Sequence, residues 1–146
     1  MSDNNNIFNL YMENAATEEP TMHSTDTMTW WKLHGKLHRT DGPAMIRSDG
    51  SKRWYMNGKL HRINGPAVEL HDGTKMWYVN DDLHREDGPA AVYGDGYRAW
   101  FLHNRAYADV DEWAAAVLEL HNKPNDAESV ERFIFNLNKK QVNALM

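Results

Sequence analysis

The chain has 146 residues, enough for one cooperative body that holds a short repeat array and a small cap. It has no cysteine, which excludes disulfides and cysteine-based metal sites, and no apolar run approaches the roughly 20 residues of a membrane helix. The net charge of −5 argues against sequence-independent nucleic-acid binding, which depends on neutralising phosphates. We therefore expect a soluble, unsecreted, cytoplasmic protein that needs no cofactor or metal.

The charge divides the chain into three segments, with −5 over residues 1–27, +3 over residues 28–107 and −3 over residues 108–146. We predict that these are an acidic N-terminal segment, a repeat array and a C-terminal cap. The N-terminal segment contains one apolar island that fits a short amphipathic helix. Its residues are Ile7, Phe8, Leu10, Tyr11 and Met12. Two interpretations stay open, a flexible tail and a helix that docks on the array or on a partner.

The array repeats with a period of 23 residues. The repeated positions are Trp31, Trp54, Trp77 and Trp100; His38, His61 and His84; Arg39, Arg62 and Arg85; and the Gly-Pro-Ala triplets that begin at Gly42, Gly65 and Gly88. A fixed period with constant positions indicates stacked equivalent units rather than one irregular core.

Each unit is predicted to form a β-hairpin. An extended run that begins at Pro66 leads to Asp72-Gly73, a tight turn in which we expect positive φ at both positions. An aromatic strand follows at residues 75–79, and a second turn stands at positions such as Asn57-Gly58. The predicted fold class is mainly β with an α cap, and the hairpins form an elongated antiparallel meander.

The strands carry aromatic residues on both faces. Side chains alternate along a strand, so one face displays the repeated tryptophans and the other displays a second ladder. The second ladder consists of Tyr55, Tyr78 and Phe101. A single sheet cannot bury both ladders by itself. We expect one ladder to pack internally, and the other to be covered by Trp113 and Phe133 of the terminal helices, by a second copy of the chain, or by a ligand.

Residues 108–146 change to a helical period and predict two helices that cover the open edge of the sheet. Asp109, followed three residues later by Glu112, fits a capping box. Pro124 ends the first helix. Asn125 with Glu128 suggests a second capping box.

The array resembles a known repeat family. The segment Trp54-Tyr55-Met56-Asn57-Gly58-Lys59-Leu60-His61, with Gly65 and Asp72-Gly73 after it, resembles the MORN repeat (membrane occupation and recognition nexus). The likeness covers residues 26–107, and its His-Arg-x-Asp-Gly-Pro-Ala step is similar to a divergent form in phage, giant-virus and bacterial proteins. The resemblance implies protein–protein contact, dimerisation or scaffolding more often than catalysis. Arg62 stands where the MORN pattern has a glycine, which weakens any transfer of the membrane-binding role attributed to the family.

The repeated histidines suit a structural role better than metal binding. Successive units add two strands, so equivalent histidines stand about 10 Å apart. A shared metal ion would need ligand nitrogens about 2 Å from it. We predict that His38, His61 and His84 make the same hydrogen bond in each unit.

Two interpretations stay open for the repeated arginines. Arg39 and Arg85 are each followed two residues later by an aspartate, which predicts an ion pair at the Gly-Pro turn. Asn64 takes that place in the middle unit, so we expect Arg62 to be freer. Alternatively, the arginines and Lys59 form an anion-binding strip for a phosphate, a nucleotide or a nucleic acid.

The predicted partner-binding residues are aromatic side chains, several with a polar edge, which often anchor interfaces. They are Trp30, Tyr55, Tyr78 and Phe101. No nucleophile–base pair or metal motif is present in the sequence, so we expect no enzyme activity. The leading hypothesis is a non-enzymatic protein–protein interaction module, and the resemblance suggests a phage protein that binds or inhibits a host factor in the host cytoplasm. The alternatives are anion binding along the arginines and a structural homo-oligomer such as a homodimer.

Overall fold

The computed structural model describes residues 18–144, with side chains to residue 141. It is mainly antiparallel β structure followed by two helices, as the sequence predicts. The strands are β1 (Thr21–Ser24), β2 (Met28–Leu33), β3 (Lys36–Leu37), β4 (Met45–Arg47), β5 (Lys52–Arg53), β6 (Tyr55–Met56), β7 (Lys59–Leu60), β8 (Val68–Glu69), β9 (Lys75–Met76), β10 (Tyr78–Val79), β11 (Asp82–Leu83), β12 (Ala91–Val92), β13 (Arg98–Leu102) and β14 (Arg105–Tyr107). The helices are α1 (Val110–Leu120) and α2 (Ala127–Ala144). The apolar island of the N-terminal segment lies outside the described residues.

The strands of successive units form the predicted meander. The sheet runs in the order β1-β2-β4-β5-β8-β9-β12-β13-β14, with β3 paired to β2, and neighbouring strands are antiparallel. The short hairpins β6–β7 and β10–β11 stand outside this sheet. The chain leaves the sheet at the repeated tryptophan, since Trp54 lies between β5 and β6 and Trp77 lies between β9 and β10. Each interior unit therefore contributes two sheet strands and one side hairpin.

The two turns of each unit differ in geometry. In the side hairpin β6–β7 both turn residues have positive φ, 50° at Asn57 and 82° at Gly58, which is the type I′ geometry that matches the strand twist. At the Asp-Gly turn only Gly50 has positive φ, 88°, while Asp49 Oδ1 accepts a hydrogen bond from the Ser51 backbone N–H at 2.8 Å. The prediction of positive φ at both Asp-Gly positions is therefore wrong. The aspartate side chain holds its own turn in an ordinary conformation, and the glycine alone enters the left-handed region.

Part of the acidic segment belongs to the sheet. β1 pairs with β2, with Thr21 opposite Lys32 and Ser24 opposite Thr29, and its four residues are exposed at the outer edge. The sequence analysis did not predict this strand. The interpretation of residues 1–27 as a flexible tail is wrong for residues 21–24, because the backbone of β2 offers a free edge that β1 satisfies. The helix interpretation concerned the apolar island, which lies outside the described residues.

Each helix is preceded by a capping aspartate. Asp109 Oδ1 accepts a hydrogen bond from the Glu112 backbone N–H at 2.9 Å, which confirms the first predicted cap. The second predicted cap is wrong by one residue, since Asp126 Oδ1 accepts from the Ser129 backbone N–H at 3.0 Å and Asn125 precedes it. The helix starts at Ala127, so the capping position falls on the aspartate.

The apolar core lies at the C-terminal end of the described chain. Its buried residues are Leu102, Trp113, Ala114, Val117 and Val130. The Trp113 side chain is fully buried, and its ring centroid lies 4.7 Å from that of Trp100 and 6.0 Å from that of Phe133. The cap is therefore fastened to the last unit of the array by aromatic packing. Neither described helix combines the length and the apolar character that a membrane crossing requires.

Candidate interaction surfaces

The repeated histidines join each unit to the next. In each unit Nδ1 of the histidine accepts a hydrogen bond from the backbone N–H of the residue 19 positions later. The pairs are His38–Asn57 at 3.0 Å, His61–Asn80 at 3.2 Å and His84–His103 at 3.1 Å. Because Nδ1 accepts, a neutral ring carries its proton on Nε2. These contacts confirm the prediction of one hydrogen bond repeated in each unit.

The repeated arginines lie over the repeated tryptophans. In three units the guanidinium Cζ lies 3.9 Å from the centroid of an indole ring, in the pairs Arg39–Trp31, Arg62–Trp54 and Arg85–Trp77. Nε of Arg39 donates to Asp41 and Nε of Arg85 donates to Asp87, each at 2.7 Å. The hydrogen bond from Arg39, reinforced by its charge, lowers the pKa of Asp41. The predicted arginine–aspartate ion pairs are therefore present.

The middle arginine uses a different acid. Arg62 Nη1 lies 3.3 Å from Glu69 Oε1, against 2.7 Å in the other two ion pairs, and its side chain is 31% exposed, against 23% for Arg39 and 18% for Arg85. Arg62 is therefore paired but freer than its equivalents, as expected. Glu69 lies on β8 and is brought close only by the fold. A Cβ at position 65 would lie 3.0 Å from Arg62 Cζ, which explains why glycine stands three residues after the arginine. Anion binding along the strip stays a prediction; its residues are Arg39, Arg62, Arg85 and the exposed Lys59.

The four residues predicted to bind a partner lie on one face of the strands. We call this surface the aromatic face; it consists of Trp30, Tyr55, Tyr78 and Phe101. The register places Trp30 opposite Met45 and Met45 opposite Arg53, and directly opposed residues share a face. The same register continues from Arg53 through Val68 to Met76. Tyr78 stands in a side hairpin but reaches this face, because its hydroxyl lies 3.9 Å from Met76 Sδ, and Tyr55 lies close to Tyr78. Tyr78 and Phe101 hold the equivalent positions in the next units.

The residues of the aromatic face are half-buried, and the ring of His23 on β1 stacks on Trp30 with its centroid 5.7 Å away. Arg53 Nη1 lies 3.9 Å from Met45 Sδ, and the Tyr78 hydroxyl lies 3.9 Å from Met76 Sδ. Burial raises the pKa of Tyr78 above the ordinary tyrosine value. The surface thus combines apolar contact area with a guanidinium and phenol hydroxyl groups that retain polar character.

The helices pack elsewhere. The buried C-terminal cluster contacts Trp100 and Tyr107, and within the described chain no residue of the aromatic face belongs to it. The interpretation in which Trp113 and Phe133 cover the Tyr55, Tyr78 and Phe101 ladder is therefore wrong. The reason is that α1 follows closely after β14 and sets Trp113 against Trp100, which belongs to the other ladder.

One carboxylate links the array to the cap. Glu86 Oε1 lies 3.0 Å from His84 Nε2, and Glu86 Oε2 lies 2.5 Å from His121 Nε2 just after α1. Burial alone would raise the pKa of Glu86, but the hydrogen bonds from His121 and His84 outweigh burial and lower it. Glu86 therefore favours its charged form in the folded protein.

Two grooves lie between the loops of successive units. Groove A encloses about 540 Å³ over Trp77, between residues 62–65 and residues 84–87. Groove B encloses about 580 Å³ over Trp54, between residues 40–42 and residues 61–64. Each residue that lines groove B has its equivalent, 23 positions later, in the lining of groove A. The grooves are thus one feature repeated twice, and sequence reasoning missed them because they depend on how far apart the loops stand.

Ile63 borders both grooves and is 85% exposed. The equivalent residues of the neighbouring units are polar, Thr40 and Glu86. A large apolar side chain at a polar position of the repeat is a signal that the sequence contained and that the predictions did not use.

The described side chains do not suggest a metal site: within residues 18–141 no group of three or more histidine, aspartate or glutamate side chains could hold an ion. Comparisons with protein-family models, with curated proteins and with solved structures found no match. Membership of the MORN family therefore stays a prediction that rests on the residues of the array.

Proposed function

We propose that this chain is a non-enzymatic protein–protein interaction module that binds a partner protein through the aromatic face. The observation that supports this most directly is that the two aromatic ladders differ in how far other side chains and helices cover them. The repeated tryptophans lie under arginines or under Trp113, whereas no described helix lies on the aromatic face. Aromatic side chains, methionine and arginine are the residue types in which interfaces concentrate their binding energy.

The chemistry of the aromatic face suggests what the partner contributes. Arg53 and the Tyr78 hydroxyl lie beside methionine sulfur atoms within an otherwise apolar area. Both groups can donate hydrogen bonds, and the guanidinium carries a positive charge. A partner surface with an apolar patch and a carboxylate or free carbonyl oxygen would fit this arrangement.

The repeated polar residues support a binding role rather than catalysis. The histidines use Nδ1 to hold backbone N–H groups, and the arginines lie on indole rings. Their roles are the same in each unit, as expected for parts of a scaffold. The origin of the chain in a phage, and a host factor as its partner, stay predictions of the resemblance.

The test is affinity capture with the full chain as bait, comparing variants. We expect a protein captured by the unaltered chain to be lost with Trp30→Ala and with Tyr55→Ala, because both residues belong to the aromatic face. Neither residue lines groove A or groove B, so their loss tests the aromatic face alone. Lys75→Ala is the matched control, since Lys75 is exposed on the opposite face of the same sheet. Capture should survive it.

Urea denaturation of each variant separates loss of binding from loss of folding. Capture that persists in both aromatic variants would contradict the proposal. Light scattering after size-exclusion chromatography detects self-association, which would favour the homo-oligomer. Capture that is lost with Arg62→Ala and raised salt, but not with Tyr55→Ala, would favour anion binding.

A further inference from the structure

The cap shows how the chain itself fills one cleft of the array. Trp113 of α1 lies 4.7 Å from Trp100, and its indole N–H donates to the carbonyl oxygen of Arg85 at 3.1 Å. His121, eight residues after Trp113, contacts Glu86 on the same loop. A helix is thus held by an indole in the cleft and by a second contact near its end.

Grooves A and B lie at the equivalent place in the preceding units, with one difference. Trp77 and Trp54 each carry an arginine over the ring, whereas Ala108 holds the arginine's position beside Trp100, whose ring contacts Trp113 instead. Trp77 holds the place of Trp100 in groove A, and residues 62–64 hold the place of residues 85–87. Groove B repeats this relation with Trp54 and residues 39–41. We propose that grooves A and B each accept a tryptophan side chain from an amphipathic helix of a partner protein, in the manner in which the terminal cleft accepts Trp113. This goes beyond the proposed function, because it concerns the grooves, which share only Tyr78 with the aromatic face, and a specific partner chemistry.

The carbonyl groups of the loops support an indole as the ligand. Arg85 O receives the indole N–H of Trp113. Among the described residues no donor reaches the carbonyl oxygen of Arg62 or of Arg39, which hold the same place in grooves A and B. An entering tryptophan would supply that donor. It would also contact the guanidinium–indole stack of Arg85 and Trp77, which favours an aromatic ring.

Groove A continues the surface that the cap already uses. Glu86 and Asp87 line groove A, while Glu86 also contacts His121 and the Asp87 carbonyl oxygen accepts from Gln141 Nε2 at 3.3 Å. The loop that closes one side of groove A therefore holds a helix on its other side. A partner helix in groove A would extend an interface that exists within the chain.

Ile63 specifies the second contact of the partner helix. It stands in the place of Glu86, so a helix docked as α1 docks would bring the residue eight positions after its tryptophan close to Ile63. His121 suits a glutamate, whereas an 85% exposed isoleucine favours an apolar residue such as leucine. The partner helix therefore carries tryptophan and, eight positions later, an apolar side chain.

The probe is a labelled peptide with the sequence of residues 109–122 and His121→Leu, titrated against the full chain by fluorescence anisotropy. We expect saturable binding, at least about tenfold weaker when the peptide also carries Trp113→Ala, since tenfold corresponds to one lost apolar contact. The chain variant Ile63→Glu is the matched control. It should weaken the binding of the leucine peptide and strengthen the binding of the peptide that retains His121, because it places at position 63 the carboxylate that Glu86 supplies one unit later.

Three outcomes would overturn the proposal. One is the absence of saturable binding of the leucine peptide. Another is equal affinity of both peptides for the unaltered chain and for Ile63→Glu. The third is binding only to a chain that carries Trp113→Ala, because the peptide would then merely replace α1. Trp30→Ala and Tyr55→Ala should leave peptide binding unchanged, so the failure of this proposal and the failure of the proposed function are distinguishable.

Discussion

The array and the helical cap are stabilised by different means. In the array, polar contacts recur at fixed intervals: a histidine nitrogen on a backbone N–H, and a guanidinium on an indole ring. Its fully buried apolar side chains are small, namely Ala44, Ala67, Ala90 and Ala91. In the cap, large apolar side chains meet around a fully buried tryptophan. The array is therefore a series of modest local contacts, and the cap is a conventional core.

This difference predicts how damage spreads. In the array, each contact serves one junction between units, so its loss should remain local. In the cap, one side chain touches β13, α1 and α2 together, so its loss should affect all three. Three substitutions, at Trp113, Arg62 and Glu86, test this comparison, and substitutions at Phe135 and Arg98 serve as controls.

Trp113→Ala should have the largest effect, about 3–5 kcal/mol of unfolding free energy, because it leaves a cavity where a fully buried indole was. Urea denaturation followed by circular dichroism measures the loss. As the urea concentration rises, we expect the circular-dichroism signal of the helices to disappear before the array unfolds. The backbone N–H of Asn57, in a turn far from the cap and hydrogen-bonded to His38 Nδ1, should stay protected from hydrogen exchange.

Phe135→Ala is the control for that experiment, since Phe135 lies on α2 and is 66% exposed. It should change stability by no more than about 0.5 kcal/mol. Equal losses for the two substitutions would mean that the cap does not depend on its buried tryptophan.

Arg62→Ala should have an intermediate effect, about 1–2 kcal/mol, because it removes both the contact with Trp54 and the ion pair with Glu69. The helical signal should be unchanged. Arg98→Ala, at an exposed position of β13, serves as the control and should cost less than about 0.5 kcal/mol. If Arg62→Ala melted the helices as well, the array and the cap would be one cooperative unit, contrary to the comparison above.

Lowering the pH should have the smallest effect, and it acts at the junction. The pKa of Glu86 is lower in the folded chain than in the unfolded chain, where the pKa of a glutamate is about 4.3. Its charged form therefore stabilises the fold above that value, and this contribution is lost as the pH falls through the lower, folded pKa.

Glu86→Gln isolates that contribution, because the variant shares every other titrating group with the unaltered chain. Urea denaturation from pH 7 to pH 3 should show the two proteins converging below about 4.3. A stability difference that stays constant over the whole range would exclude titration of Glu86 as its cause.

The parts of the structure that could be predicted from the sequence are those that repeat. The 23-residue period gives the meander, and the constant placement of His38 and its equivalents gives their shared hydrogen bond. The cap at Asp109 follows from a local pattern of four residues. Such features depend on neighbours within one unit or one turn, which the sequence displays directly.

The rest depends on distances that the sequence does not contain. Glu69 reaches Arg62 only because β8 passes beside it, and β1 forms only because β2 leaves an edge open. The grooves exist because adjacent loops stand apart by the width of two strands. The prediction of which ladder the helices cover was wrong for a similar reason, since the direction in which α1 leaves the sheet is set by packing on Trp100.

The hydrogen bonds between successive units run in both directions at every joint. Leu37 O accepts from the Gly58 N–H at 2.8 Å, and the Arg39 N–H donates to Tyr55 O at 3.2 Å, so each unit presents both acceptors and donors that the next unit satisfies. An extra unit of 23 residues, inserted in register with the repeat, could form the same hydrogen bonds with the unit before it and with the unit after it. The number of units is thus a quantity that duplication or deletion can change stepwise. The last unit always needs a terminator, and Ala108 followed by α1 marks where this chain places it.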